Sequence, residues 1–160
     1  KLYLNDKLIG EKETGKENYT ATFDVPYEPG TLKAVNSKGK EEFVLKTAGA
    51  PAAIRLIADR SKIKACKNDL SYVKIELVDK NGNVVPETSL PVKIECTGKG
   101  TVIAGGNAAY ADMESFRSLT PNTFRGKAIA IVQPDGEKGD IQVKVSAKGL
   151  EDASIVITTY

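Results

Sequence analysis

The fold is decided by the stretch SYVKIELVD (71–79), in which apolar and polar side chains alternate with a period of two. Val73, Ile75 and Leu77 share one face, and Lys74 and Glu76 occupy the other. Successive side chains of a β-strand point to opposite faces of its sheet, so this alternation is typical of a half-buried strand. The stretch therefore predicts a strand with one face in a core and the other in water.

The same period recurs along the chain, in DIQVKVSAKG (140–149) and NYTATFDVP (18–26). A further stretch, KAIAIVQ (127–133), is apolar at nearly every position and predicts a central strand that is covered on both faces. Helical spacing is nearly absent, and turn residues separate the predicted strands at intervals of about 8–12 residues. We therefore predict an all-β protein built from immunoglobulin-like β-sandwiches.

The chain divides near TAGAPAA (47–53), where small residues around a proline separate two groups of predicted strands. Residues 48–160 have the length of a complete immunoglobulin-like sandwich. Residues 1–47 hold only about five predicted strands, against about seven in such a sandwich. We therefore expect two modules in tandem, the first truncated at its N-terminus. Since KLYLN (1–5) resembles the middle of a strand, we also expect sequence upstream of Lys1.

The charge distribution argues against two classes of partner. The 160 residues include 23 basic and 21 acidic ones, a net charge of +2, and no block of like charges. Nucleic-acid arms usually carry such blocks, so we expect no nucleic-acid partner. No apolar run approaches the roughly 18 residues of a membrane-spanning helix, so we expect no membrane span.

The sequence offers little for catalysis. It contains no histidine, which removes the commonest general base and any Ser-His-Asp arrangement. No glycine-rich phosphate loop occurs, and we expect no cofactor. Carboxylates fall at outward strand positions or in turns, where solvated side chains are the usual case. We therefore predict no catalytic residue and solvated carboxylates at these positions: Glu76, Asp79, Glu95, Asp135 and Asp140.

Metal binding has one weak candidate, a calcium loop. Zinc is effectively excluded, because the chain has two cysteines and no histidine against a need of about four ligands. Asp79, Asn81 and Asn83 alternate as in a calcium loop, but Glu87 comes too early to close a loop of about a dozen residues. The alternative is a hairpin turn in which Asn81-Gly82 takes positive φ.

The two cysteines, Cys66 and Cys96, lie 30 residues apart and allow two interpretations. They could form a disulfide in an oxidising compartment. They could also be two free thiols, with Cys96 as a small core residue. Cys66 stands beside a polar turn and on the opposite parity from the apolar Ile63 and Ala65, which disfavours the bridge.

A long stretch without alternation, residues 105–118, is predicted to be an irregular loop with at most one helical turn. Long loops between rigid strands often carry binding residues. The candidate glycan-contact residues are Asn107, Tyr110, Phe116 and Arg117, with Asp112 and Glu114 nearby. The alternative is that Met113 and Phe116 plug the end of the sandwich. The absence of tryptophan weakens a sugar-stacking platform.

Several stretches resemble a known family. LYLNDKLIGEKE (2–13) and PYEPGTLKAV (26–35) resemble an immunoglobulin-like module that follows the catalytic barrel of many family 2 glycoside hydrolases of the β-galactosidase type. Four later stretches resemble an additional C-terminal domain of the same enzymes, which is similar to invasin-type bacterial repeats: AGAPAAIRLIADR (48–60), NDLSYVKIELVDKNGNVVP (68–86), the GGN loop (105–107) with ESF (114–116), and FRGKAIAIVQ (124–133). The chain departs from the family pattern at Asn5-Asp6, Cys66 and Ala108-Ala109-Tyr110.

The resemblance implies a parent enzyme that hydrolyses β-galactosides or related glycans by a retaining mechanism, with both catalytic carboxylates in an upstream barrel. It also implies a periplasmic or secreted enzyme. The leading hypothesis is a non-catalytic accessory region that contacts this barrel and braces the enzyme or its homodimer. Two alternatives remain: a carbohydrate-binding module that uses the 105–118 loop, and an adhesin-like surface repeat.

Overall fold

The structure is a computed structural model that describes residues 1–15, 19–36, 39 and 41–160. These residues form two compact units, Lys1–Thr47 (unit 1) and Ala48–Tyr160 (unit 2). All regular structure among these residues is β, which confirms the predicted fold class. Among the described residues, no helix has the length and apolar character needed to cross a membrane.

Unit 1 is a four-stranded antiparallel sheet in the order β2-β1-β3-β4. Its strands are β1 (Leu2–Leu4), β2 (Lys7–Gly10), β3 (Thr31–Val35) and β4 (Glu42–Lys46). Asn5 and Asp6 join β1 to β2 with φ values of 50° and 64°, so Asp6 replaces the usual glycine at a position that requires positive φ. The Asn5 side chain also accepts a 2.8 Å hydrogen bond from the Thr31 amide.

The predicted strand in NYTATFDVP is wrong for the described part of that stretch. Residues 19–26 form no strand, Tyr19 is 85% exposed, and Asn18 lies outside the described residues. Phe23 and Val25 are half-buried, but Ala21, which the pattern also places inward, is exposed like Tyr19. Period-two alternation shows which side chains share a face, but a strand also needs a hydrogen-bonded neighbour. The truncation of this module stays a prediction.

Unit 2 is a sandwich of two four-stranded sheets, in the orders β5-β7-β10-β9 and β6-β12-β11-β8. All pairings are antiparallel except that of β6 with β12. The strands are β5 (Pro51–Ala58), β6 (Lys62–Ile63), β7 (Ser71–Asp79), β8 (Lys93–Gly98), β9 (Gly100–Gly106), β10 (Lys127–Pro134), β11 (Gly139–Ser146) and β12 (Ala153–Thr159).

The core of unit 2 lies between the two sheets, where alternating side chains of facing strands meet. Val73, Ile75 and Leu77 of β7 are fully buried, as the alternation predicts. The inward residues of β11 are buried against them in the same cluster: Ile141, Val143 and Val145. Burial of such side chains is the main stabilising contribution in a sandwich of this kind.

The prediction that β10 is covered on both faces is wrong. The strand is central in its sheet, and Ala128, Ala130 and Val132 face the core. On the opposite face Ile129 is 38% exposed and lies opposite Lys74 of β7, and Tyr72 of β7 and Ile57 of β5 are 42% and 40% exposed. An apolar run cannot by itself show whether a second layer covers the outer face of a sheet.

Candidate functional site

The candidate site is the loop that leaves β9 at Gly106 and precedes β10. Turns, rather than a helix, form it, which confirms the prediction of an irregular loop. Its base is held by a 2.7 Å hydrogen bond from the Gly105 amide to the Phe116 carbonyl. The Phe116 ring lies directly on Gly106, where an added Cβ would stand 2.8 Å from the ring. The absence of a side chain at Gly106 therefore lets the ring lie against the backbone.

The polar side chains of the loop bond to one another and to the loop backbone. The Asn107 amide donates to Asp112 and, at 2.9 Å, to the Asn122 carbonyl. The Asn122 amide donates to Glu114 at 2.6 Å, and Asp112 accepts the Glu114 backbone amide at 2.9 Å. Asn107 also accepts the Ala109 amide at 2.7 Å. These side chains therefore hold the shape of the loop.

The large apolar side chains of the loop point outward. Tyr110 is 100% exposed, Met113 is 95% exposed and Phe116 is 71% exposed. The prediction that Met113 and Phe116 plug the end of the sandwich is therefore wrong. The apolar core closes without them, since Ile94 and Pro121 already lie against Gly105 at the base of the loop.

The four predicted glycan-contact residues have different environments. Tyr110, Phe116 and Arg117 are exposed, whereas Asn107 is half-buried inside the polar network. The cleft beside Asn107 and Phe116 has a volume of about 30 Å³. This is room for about one water molecule and not for a sugar ring. A glycan could only lie across the surface of the loop, so glycan contact by these residues stays a prediction.

Sequence reasoning missed two buried carboxylates, and the prediction that Glu76 and Asp79 are solvated is wrong. The Glu76 side chain is 4% exposed and accepts hydrogen bonds of 2.9 and 2.6 Å from Arg55. Lys74 lies 3.3 Å from its other oxygen. Burial acts to raise the pKa of Glu76, but the hydrogen bonds from Arg55 and Lys74 outweigh it and hold the pKa below its ordinary value. Glu76 is therefore ionised and paired.

Asp79 closes the turn that follows β7. It accepts hydrogen bonds from the amides of Gly49, Asn81 and Asn83 at 2.8–2.9 Å, and from the Asn83 side chain at 3.1 Å. Gly82 takes positive φ of 79°, as in the hairpin-turn interpretation, but Asn81 does not, so that part of the prediction is wrong. Val84 forms only an isolated bridge with Val78. The carboxylate oxygens of Asp79 thus stabilise the turn by accepting these hydrogen bonds.

The described residues lack the features of a hydrolytic or metal centre. A glycosidase needs a general acid whose pKa is raised. Every carboxyl group with a clear shift in the described part of the chain has its pKa lowered, namely Asp69, Glu76, Asp79 and Glu95. Among the same residues, no three His, Cys, Asp or Glu side chains are grouped to hold a metal ion. Cys66 and Cys96 are both free, so the disulfide interpretation is wrong.

Asp79 makes the stability of unit 2 depend on acid pH. Hydrogen bonds, first that of the Gly49 amide, lower the pKa of Asp79 from 3.8 to about 2. The folded state therefore binds fewer protons than the unfolded state between these values, and stability falls as pH decreases through this window. We expect Asp79→Asn to lower the urea midpoint at pH 7 and to flatten its fall between about pH 4 and about pH 2.

The matched control is Asp135→Asn, at an exposed turn residue of the same unit. Urea unfolding followed by circular dichroism at several acid pH values measures both variants. The control should keep the acid dependence of the unmodified chain. If Asp79→Asn kept the same dependence too, the carboxylate of Asp79 would not be its source.

Comparisons with known proteins give a consistent result across the chain. Residues 54–156 match the model of the glycoside hydrolase family 2 C-terminal domain 5, and residues 1–43 match a domain of unknown function, DUF4982. A β-galactosidase from Bacteroides ovatus is 32% identical over 98% of this chain, which covers 19% of that protein. A β-glucuronidase from Formosa agariphila is 27% identical over 98% of this chain, which covers 16% of that protein.

A solved structure agrees with the predicted fold. The family 2 glycosyl hydrolase of Bacteroides cellulosilyticus DSM 14838 has a TM-score of 0.87 and 37% identity, over 98% of this chain and 22% of that one. The chain thus spans about a fifth of the length of the curated relatives it matches. The resemblance noted from the sequence is confirmed over both units.

Proposed function

The chain belongs to the family of the glycoside hydrolase family 2 C-terminal domain 5, and from this membership we propose that it is a non-catalytic accessory region that braces a β-galactosidase-like enzyme or its dimer. The catalytic carboxylates would lie in another part of a longer polypeptide. One observation carries the proposal. Nearly all of this chain matches the two relatives, but the matched part makes up only about a fifth of the length of each relative.

The chemistry of the described residues supports a non-catalytic role. Their buried carboxylates, Glu76 and Asp79, are each bound to protein donors. A retaining glycosidase instead needs one ionised and one protonated carboxyl group close together beside the sugar. As part of the same proposal, the parent enzyme is periplasmic or secreted. Its recovery in the cytosolic fraction of the source cells would contradict that assignment.

The test compares the longer polypeptide with and without this region, and the 160-residue chain alone. We expect the chain alone to release no chromophore from chromogenic β-galactosides or β-glucuronides. We expect removal of the region to lower the thermal midpoint of the catalytic portion, or to change its oligomeric state, while KM stays unchanged. Hydrolysis by the chain alone would contradict the proposal, as would a truncated enzyme with unaltered stability and assembly.

A second candidate function is glycan binding by the loop, and the full exposure of Tyr110 favours it. Exposed aromatic rings can stack on sugar rings. Affinity electrophoresis of the 160-residue chain through gels with soluble polysaccharides tests this function. If it is correct, Tyr110→Ala abolishes retardation and Tyr160→Ala, at a tyrosine that is 60% exposed, leaves it unchanged.

A further inference from the structure

We propose that the loop after β9 is the element by which this region docks on the rest of its polypeptide. Tyr110, Met113 and Phe116, which we call the apolar tip, would enter an apolar cleft on the catalytic portion of the same molecule. This inference rests on the proposed bracing function and assigns the contact to named residues. Its first support is exposure, because all three side chains are at least 71% exposed.

The apolar tip places three large exposed apolar side chains close together in the sequence of one loop. Single exposed apolar residues are common on proteins, but a group of them marks an interaction site more often. Here three large side chains fall within seven residues of one loop, Tyr110 to Phe116. None of them contributes to the core cluster of unit 2. The core of unit 2 therefore does not depend on these three side chains.

The loop is already ordered in the shape that presents the apolar tip. Its polar side chains form the network of Asn107, Asp112, Glu114 and Asn122 described above. The Phe116 backbone is tied to Gly105, and the Asp112 amide donates to the Ala109 carbonyl at 3.2 Å. A preordered loop loses little conformational entropy on binding, which favours docking by a small surface.

The chemistry of the loop fits a protein cleft better than a glycan. Sugar hydroxyl groups are recognised by polar side chains that are available to them, in addition to a stacking ring. The amide and carboxylate groups of Asn107, Asp112 and Asn122 are instead engaged within the loop. The exposed side chains of the loop include two aromatic rings and a thioether, which suit an apolar cleft, and the charged Arg117 beside them is exposed as well.

The size of the apolar tip favours a tethered partner over a second copy of the chain. Three such side chains expose on the order of 500 Å². Stable dimers bury about 800 Å² on each partner, so the tip is too small to hold two separate molecules together. Within one polypeptide the effective concentration reaches the order of millimolar, and a small contact suffices. In the β-galactosidase relative, the part of the polypeptide outside the matched region is about four times as long as this chain.

Photo-crosslinking in the full-length polypeptide tests the proposal. Tyr110 is replaced by p-benzoylphenylalanine, which keeps an aromatic side chain at a fully exposed position. Matched probes replace Tyr160 and Tyr72, which are 60% and 42% exposed in the same unit. After irradiation, peptide mapping identifies the partner residue. We expect position 110 to crosslink within the same molecule to the catalytic portion, and both control positions to give only background.

Other results would overturn the proposal in distinguishable ways. Crosslinks from position 110 between two polypeptides would assign the apolar tip to a dimer contact. Glycan retardation lost in Tyr110→Ala, with no crosslink from position 110, would assign it to sugar binding. Crosslinks from position 72 alone would assign the contact with the catalytic portion to the outer face of the β5-β7-β10-β9 sheet. The proposed bracing function would then still hold. Background levels at all positions, with a truncated enzyme of unchanged stability and assembly, would remove the bracing function as well.

Discussion

Replacing Gly98 with alanine is expected to destabilise unit 2 by about 3 kcal/mol or more, or to prevent its folding. Gly98 ends β8 with φ of 97°, and a Cβ there would stand 2.1 Å from the carbonyl oxygen of Asp140. This oxygen belongs to the backbone of β11 and accepts the Lys99 amide at 2.9 Å. It cannot move away without breaking the pairing of β8 with β11.

Gly136→Ala separates the clash from backbone strain. Gly136 also has positive φ, 109°, but an added Cβ would meet nothing within 4 Å. Its substitution should cost only the strain of a left-handed conformation, about 1–2 kcal/mol. Urea unfolding followed by far-ultraviolet circular dichroism compares the two variants. Equal losses of stability would show that the contact with the Asp140 carbonyl is not what requires glycine at position 98.

The second large effect is expected from Arg55→Met, which should reduce the free energy of unfolding by about 2 kcal/mol, since Glu76 is buried but Arg55 itself is 42% exposed. Arg55 donates both short hydrogen bonds to the buried Glu76 carboxylate. Its removal leaves that carboxylate in a poorly hydrated site with Lys74 alone, at 3.3 Å. An incompletely paired buried charge is costly because the protein does not replace the lost hydration.

The double variant Arg55→Met with Glu76→Leu provides the internal test. Replacing a buried ion pair with apolar residues is often close to neutral, so the double variant should recover most of the lost stability. Lys93→Met removes a comparable 2.8 Å pair with Glu95, where both side chains are about half exposed, and should have no measurable effect. A double variant no more stable than Arg55→Met would contradict the role assigned to the buried charge.

The loop after β9 shows how far sequence reasoning reached at the candidate site. The lack of alternation over 105–118 correctly indicated an irregular loop, although Gly105 and Gly106 belong to β9, and it left open whether Phe116 is buried or exposed. It did not reveal that Asn107 and Asp112 face each other, or that Met113 points outward. Without a regular period, the sequence carries no signal for side-chain direction.

Carboxylate burial was also beyond the sequence. Glu76 has the parity of an outward strand position, opposite to that of Val73, Ile75 and Leu77. Its burial comes from Arg55 on β5, a residue 21 positions away that lies directly opposite it in the sheet. For Asp79, one of the hydrogen bonds to the carboxylate comes from the Gly49 amide, which is 30 residues away in the sequence. Such partners become neighbours only when the strands pair.

By itself, the sequence determined the all-β class, the inward faces of β7 and β11, the turn at Asn81-Gly82 and the family resemblance. The tertiary structure alone decided that residues 19–26 have no strand partner, that β10 has one exposed face, and that Glu76 is buried. The physical reason is the range of the interactions. Alternation and turn chemistry act between residues close in the chain, whereas burial and pairing depend on residues that only the fold brings together.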